Sequence, residues 1–247
     1  MVISKVIRSA VKRKLRRFAE IFGIYRWSSP ALHGIDKRLA KYLPETPGFF
    51  IEAGAHNGYS QSNTYYWERV KHWQGILVEP IFEQYQECCR ERPNSACFHN
   101  ALVDFEYSQP TVPIYSLSLL SQMVDSTQTT AQSELRERGM QLEKGVSGEI
   151  EYAPARTLTS ILEEVKPSQI DFFSLDVEGN ELSVLKGLDW EKYSPRLILV
   201  EANKPDELED FLCSRGYKII RDFSPNDLLF IKESKAVDTP QSLDCRE

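Results

Sequence analysis

Three short stretches hold residue types that can do chemistry together. The first is Glu52-Ala-Gly54-Ala-His56-Asn57-Gly58, an acid-x-Gly-x-x-x-Gly spacing. It is not the Gly-x-Gly-x-x-Gly loop that cradles a pyrophosphate on a helix N-terminus. Glycines let the backbone come close to a ligand. An acid at the head of the loop repels a pyrophosphate but suits a ligand that carries an amino group and a sulfonium. The second is Glu79, 25 residues beyond Gly54 and followed by Pro80. An acid about 20 residues after a glycine loop typically accepts from ribose hydroxyls, which points to a nucleoside without saying which one. The third is Asp176-Val-Glu178-Gly-Asn-Glu181, three acids within six residues. Carboxylates cluster at an electrostatic cost. These can bind a metal, hold a base or orient a substrate hydroxyl. The structural alternatives are turn glycines for the first motif, a helix N-terminal acid for Glu79, and helix capping by Asp176 or Glu178 for the third.

The elements that must position these residues alternate in type. Gly48 to Gly54 is a short apolar run that ends in a glycine turn, as a buried parallel strand does. A helix is expected over 60–71, a strand over Gly75–Glu79 stopped by Pro80, a helix over 81–92, and a third strand over Cys97–Val103. Residues 105–150 break the rhythm with Ser, Gln, Thr, Pro and Gly, and read as an insert, either a lid or a variable surface loop. Ala131–Glu143 is a candidate helix within it. Alternation resumes with a helix at 157–165, a strand at Asp171–Asp176, a helix near 180–187, a strand at Arg196–Glu201 and a helix at 205–215. Tyr217–Arg221 and Asp227–Lys232 form a closing antiparallel pair. The pattern predicts a layered α/β fold with a mostly parallel sheet, in a domain over 27–235 with a loose tail over 236–247.

Once these motifs are in place the chain resembles the FkbM-type methyltransferases. The likeness is carried by Asp171-Phe-Phe-Ser-Leu-Asp-Val-Glu-Gly-Asn-Glu-Leu-Ser-Val-Leu-Lys-Gly187, by Arg156-Thr-Leu158 and by Glu52-x-Gly-x-x-x-Gly58. It covers roughly 48–103 and 150–232. The resemblance implies a Rossmann-like class I fold, seven-stranded with the last strand antiparallel and helices on both faces. It also implies S-adenosyl-L-methionine as cofactor and O-methylation of a sugar, glycan or other natural-product hydroxyl. Carried over by position, Glu52, Gly54 and Gly58 would line the methionine part, with Ala55, His56 and Asn57 between them. Glu79 would take the ribose, with Pro80 beside it. Asn100 and Ala101 would face the adenine, and Asp176 and Glu178 would lie near the transferred methyl. The Phe172–Glu181 phrase also resembles a eukaryotic-type branch with trafficking roles. This keeps open a non-catalytic methyltransferase-like protein that binds a membrane or protein partner.

Methyl transfer from a sulfonium is an in-line displacement on an already activated electrophile, so positioning is the main demand and can supply roughly 7 to 11 kcal/mol. A sugar hydroxyl must still lose its proton, which calls for a base or a metal. Asp176, Glu178 and His56 are the base candidates. Asp176, Glu178 and Glu181 are the ligands for any divalent ion. Glu201 ends the fifth strand and can also reach the crevice. His72 and His99 have no constellation around them.

Charge narrows the partners. The net charge is −6, but residues 1–26 hold eight Lys or Arg and one Glu, leaving −13 over the rest. An acidic body argues against a nucleic-acid groove and fits a small-molecule or glycan acceptor. No Asn-Pro-Pro or Asp-Pro-Pro follows the fourth strand, where base methylation usually places one. Five cysteines without a Cys-x-x-Cys pair argue against a zinc site and for a reduced, cytoplasmic chain. No apolar run approaches the roughly 18 to 20 residues of a membrane span. Residues 1–26 read instead as a basic amphipathic helix. Such a helix either packs on its own domain or contacts a membrane peripherally.

Overall fold

The computed structural model describes residues 2–116, 122–123, 149–201 and 205–233. Its strands are β1 (Phe49–Ala53), β2 (Gln74–Val78), β3 (Ala96–Phe98), β4 (Ala101–Val103), β5 (Thr111–Ser116), β6 (Gln122–Met123), β7 (Glu149–Thr157), β8 (Phe172–Leu175), β9 (Leu197–Glu201), β10 (Tyr217–Ile220) and β11 (Asp227–Lys232). Seven of them form the central sheet, in the order β10-β11-β9-β8-β1-β2-β3. The neighbours from β9 to β3 pair in parallel, and β11 runs antiparallel to both β9 and β10. This is the expected mostly parallel sheet with an antiparallel last strand.

The strands are apolar on both faces because both faces are covered. Along each strand successive side chains point to opposite sides. Phe50, Leu77, Phe172 and Leu199 enter one core, with Leu39, Trp67 and Trp73. Ile51, Ile76, Phe173, Leu175 and Ile198 enter the other. The helices are α1 (Val2–Ile21), α2 (Ile35–Arg38), α3 (Tyr65–Lys71), α4 (Phe82–Glu91), α5 (Leu158–Val165), α6 (Glu181–Lys186) and α7 (Pro205–Cys213). Leu158, Ile161 and Leu162 of α5, Val184 and Leu185 of α6 and Leu208 and Leu212 of α7 fill the second core. Thr157 caps α5 by accepting from the Ser160 backbone N–H at 3.2 Å.

Two expectations are corrected. The single strand over 97–103 is two. β3 stays in the central sheet, while β4 leaves it to pair with β7 in a second sheet of order β4-β7-β5-β6. The break falls at His99 and Asn100, whose side chains reach the carbonyls of Pro80 and Pro154 at 2.9 and 3.1 Å. The ends of the 105–150 insert are also strands. Val112 and Ile114 on β5 and Ala153 on β7 alternate inward and close a third core with Ile81, Ala101 and Val103. The prolines at 110, 113 and 154 hide this alternation in the sequence. The candidate helix over 131–143 and the tail over 236–247 lie outside the described residues.

The N-terminal helix is docked on the domain through its charged side. Arg16 stacks over Tyr59 with its guanidinium carbon 3.4 Å from the ring centre, donates to the Tyr65 hydroxyl at 3.0 Å and pairs with Glu91. Glu20 accepts from Ser28, Tyr65 and Arg69 at 2.8 to 3.0 Å.

Candidate active site

Strand order reverses between β1 and β8, and ligands of such sheets bind beyond the strand ends at that point. There the structure has a partly open cleft. The ends of β1, β2 and β8 form its floor, and Ile114 of β5 reaches it from the second sheet. Of the expected site residues, Glu52, Gly54, Ala55, His56, Glu79, Pro80, Asn100, Ala101, Asp176 and Glu178 all line it. Asn57, Gly58 and Glu181 are not among the lining residues.

Each loop has a local cause. Gly54 sits at φ +82°, and a Cβ there would lie 1.7 Å from the Asp176 carbonyl oxygen, so only glycine lets β1 and β8 close together at the floor. Asn57 builds the next turn, its side-chain oxygen accepting from the Tyr59 and Ser60 N–H groups at 3.1 and 2.8 Å. The Glu52 carboxylate is engaged by protein. It accepts from Ser62 Oγ, the Asn63 N–H, Thr64 Oγ1 and Arg92 at 2.8, 3.0, 2.6 and 3.3 Å. Glu52 therefore holds the wall of the cleft, and the 60–63 segment it fixes presents Ser60, Gln61, Ser62 and Asn63 inward.

Arg92, which nothing in the sequence singled out, anchors this wall. It is fully buried and donates to Glu68, Glu52, the Gly58 carbonyl, Ser62 and Thr64 at 2.6 to 3.3 Å. A basic residue just after α4 reads as a solvated helix end. The polar Ser62-Asn63-Thr64 run ahead of an aromatic helix was the available signal for the wall. Removing one partner of a buried ion pair costs roughly 3 to 5 kcal/mol, because it strands the other charge. Arg92→Met should therefore unfold at a temperature lower by something on the order of 10 °C in a calorimetric scan. An unchanged melting temperature would show that Arg92 is not the anchor.

Glu79 is buried at the end of β2. One oxygen accepts from the His56 N–H at 2.7 Å and the other from the Ile81 N–H at 2.9 Å, so it ties the glycine loop to β2 and keeps lone pairs for a ligand. Burial pushes its pKa up to about 7 against the pull of those two N–H donors. His56 itself stands at φ +47° and lines the cleft. Asn100, buried, spends its amide on Pro154.

Asp176 and Glu178 also line the cleft, and their oxygens lie within 4.8 Å of one another and of a Glu201 oxygen. Glu181 is not the third member. Its carboxylate turns to the Gly179 and Val177 N–H groups at 2.8 and 3.3 Å, and so steadies a turn in which Glu178 takes the left-handed φ of +56°. A non-glycine residue in that region is strained and persists where its surroundings fix it. The Asp176 carboxyl opens onto the cleft, yet the surrounding protein and a hydrogen bond with Glu201 raise its pKa well above the usual range. Burial, then Glu201 and Glu181, push Glu178 up to about 8. A proton shared in this trio relieves the repulsion. The same three carboxylates also form a set that a hard divalent cation accepts.

The model of the methyltransferase FkbM domain matches residues 52–219. The chain belongs to the FkbM methyltransferase family. Similar solved structures include an FkbM methyltransferase from Methylobacillus flagellatus KT, 14% identical, with a TM-score of 0.47 over 83% of this chain and 48% of that one. This chain thus spans about half the length of that protein. Others are a putative caffeoyl-CoA O-methyltransferase from Staphylococcus aureus (9% identical, TM-score 0.44, 94% of this chain and all of that one) and a TehB-like S-adenosylmethionine-dependent methyltransferase from Corynebacterium glutamicum (10%, 0.40, 91% and all). No curated protein matches significantly.

The FkbM-family site fits the family's methyl donor on its own evidence. The donor carries ribose hydroxyls and an amino group, and Glu79, Asp176 and Glu178, whose carboxyl oxygens accept from such groups, line the cleft. The floor at Gly54 is a cradle that a Cβ would fill. Glu79 stands at the end of β2 with acceptor capacity to spare.

Proposed function

We propose that this FkbM-family protein O-methylates a hydroxyl of a sugar, glycan or other small natural product. The observation that carries the reading is Asp176 and Glu178 lining the same cleft as Gly54 and Glu79, with Glu201 clustered beside them. When bound, S-adenosylmethionine supplies a methyl group already activated by its sulfonium. Gly54 to His56 and Glu79 would hold it, with Asn100 and Ala101 toward the adenine. Glu52 and Arg92 keep the wall rigid, which serves positioning. Asp176 or Glu178 would receive the proton of the acceptor hydroxyl, since carboxylates with raised pKa accept protons efficiently near neutrality. Ser60, Gln61, Asn63 and Asn180 offer polar groups to orient that hydroxyl.

The test is mass spectrometry of a panel of glycans and metabolites incubated with isotope-labelled S-adenosylmethionine. A labelled methyl on a hydroxyl oxygen supports the reading. Transfer only to nitrogen, or none across the panel, refutes it.

The acid cluster also sets the pH dependence. Glu178 is neutral below about 8 and accepts a proton only once ionised. If it is the base, kcat/KM should climb with pH and level off above about 8, and Glu178→Gln should flatten that limb. For stability the sign is opposite. Between its ordinary 4.5 and about 8 the folded state keeps a proton that the unfolded chain has lost, so this group's contribution falls as pH rises through that window. Glu178→Gln should gain stability over wild type from pH 5 to 8 in denaturant titrations. A constant difference would remove Glu178 as a buried acid.

A further inference from the structure

Helix α1 turns Arg16 and Glu20 into the domain and large apolar residues out to solvent. Arg16 and Glu20 are 7% and 6% exposed, while Val11, Leu15, Phe18 and Phe22 are 49 to 66% exposed. Their spacing of four, three and four residues puts Val11, Leu15 and Phe18 on one stripe of the helix, with Phe22 in line one residue past its end. Lys12 and Lys14, both exposed, fall on either side of it. Beyond the helix, Ile24 and Trp27 are each about half exposed as well. Large exposed apolar residues gathered on one helix face and flanked by charge mark an interaction surface.

We infer that residues 11–27 dock this domain on an anionic lipid bilayer, with the stripe in the interface and the flanking lysines on lipid phosphates. Charge complementarity selects this occupant. Residues 1–26 carry +7 and the rest of the chain −13, so an anionic surface repels the body and attracts only this end. A second copy would set one basic helix against another. An apolar stripe, cationic flanks and aromatic residues are what an in-plane interfacial helix requires, and Trp favours the same depth. No described helix is long and apolar enough to cross a membrane. The charged underside, clamped by Tyr59, Tyr65, Arg69 and Glu91, fixes the stripe rigidly to the domain.

The experiment is cosedimentation of the full chain with vesicles of phosphatidylcholine alone or mixed with phosphatidylglycerol, with light scattering on the same samples. The variants are Leu15→Ser with Phe18→Ser and Phe22→Ser, and separately Lys12→Glu with Lys14→Glu. All five side chains are exposed, and a thermal scan checks that each variant folds. The inference expects the wild type to sediment with the anionic vesicles at low salt and at least tenfold less with the neutral ones. It expects at least a tenfold loss of affinity in either variant. Three results overturn it: no sedimentation of the wild type, variants that bind as the wild type does, or a dimer that the serine variant dissolves without any vesicle binding, which would assign the patch to a second copy. Vesicle binding is read without methyl transfer, so it stands or falls apart from the catalytic reading.

Discussion

Gly54→Ala is expected to weaken S-adenosylmethionine binding at least a hundredfold, about 2.7 kcal/mol or more. The residue sits at φ +82°, and the added Cβ would fall 1.7 Å from the backbone oxygen of Asp176. That oxygen cannot swing away like a side-chain tip. Ala53 and Leu175 are register partners across β1 and β8, and the Asp176 N–H donates to the Ala53 carbonyl at 3.1 Å. The strands must part just where the cleft floor lies. Gly216→Ala separates this effect from loss of conformational freedom. Its φ is +77°, but the nearest atom to the new Cβ is the Lys232 amine at 3.9 Å. It should lose about 1 kcal/mol of stability and bind the donor normally. Calorimetric titration of both variants decides. Equal affinities for Gly54→Ala and wild type would mean that the donor does not approach this floor.

Asp176→Asn should cut turnover roughly a hundredfold to ten-thousandfold while keeping donor affinity within a few-fold. The folded Asp176 carboxyl favours its neutral form because protein surrounds it and Glu201 shares a hydrogen bond with it. An amide reproduces that donor to Glu201 with nearly the same shape, so the loop and the cleft should stay intact. What the amide cannot do is ionise and accept a proton. The check is single-turnover kinetics beside calorimetry on the same preparation. Normal turnover would take Asp176 out of the chemistry and leave Glu178 or Glu201.

The parts of the fold legible in the sequence were those whose burial leaves a local signature. Gly48 to Gly54 shows an apolar run ending at a glycine, and β1 with the Gly54 turn lies there. Asp227–Lys232 is β11 to the residue. The glycine loop, Glu79 and Asp176 come to one cleft because α/β folds gather strand ends on one edge. What was illegible depends on contacts far apart in the chain. Arg92 looks like any basic residue after a helix until Glu52 and Glu68 close on it. Three acids spaced as Asp176, Glu178 and Glu181 looked like one set, but the left-handed turn at Glu178 directs Glu181 to the backbone, and Glu201 arrives from β9. A period-2 pattern interrupted by prolines concealed β5 and β7. Helical periodicity revealed that α1 is amphipathic, but not that its charged side faces inward, because ion pairs with Glu91 and Arg69 decide that.

The central claim is that the cleft between the ends of β1, β2 and β8 takes the methyl donor. Isothermal titration of the wild-type chain with S-adenosylmethionine, run beside Glu79→Ala, tests it most directly. The account predicts one saturable site per chain in the wild type, with a dissociation constant in the micromolar to millimolar range usual for enzyme substrates, and at least tenfold weaker uptake in the variant. A flat titration of folded wild-type protein at millimolar donor, or equal binding by Glu79→Ala, would contradict it.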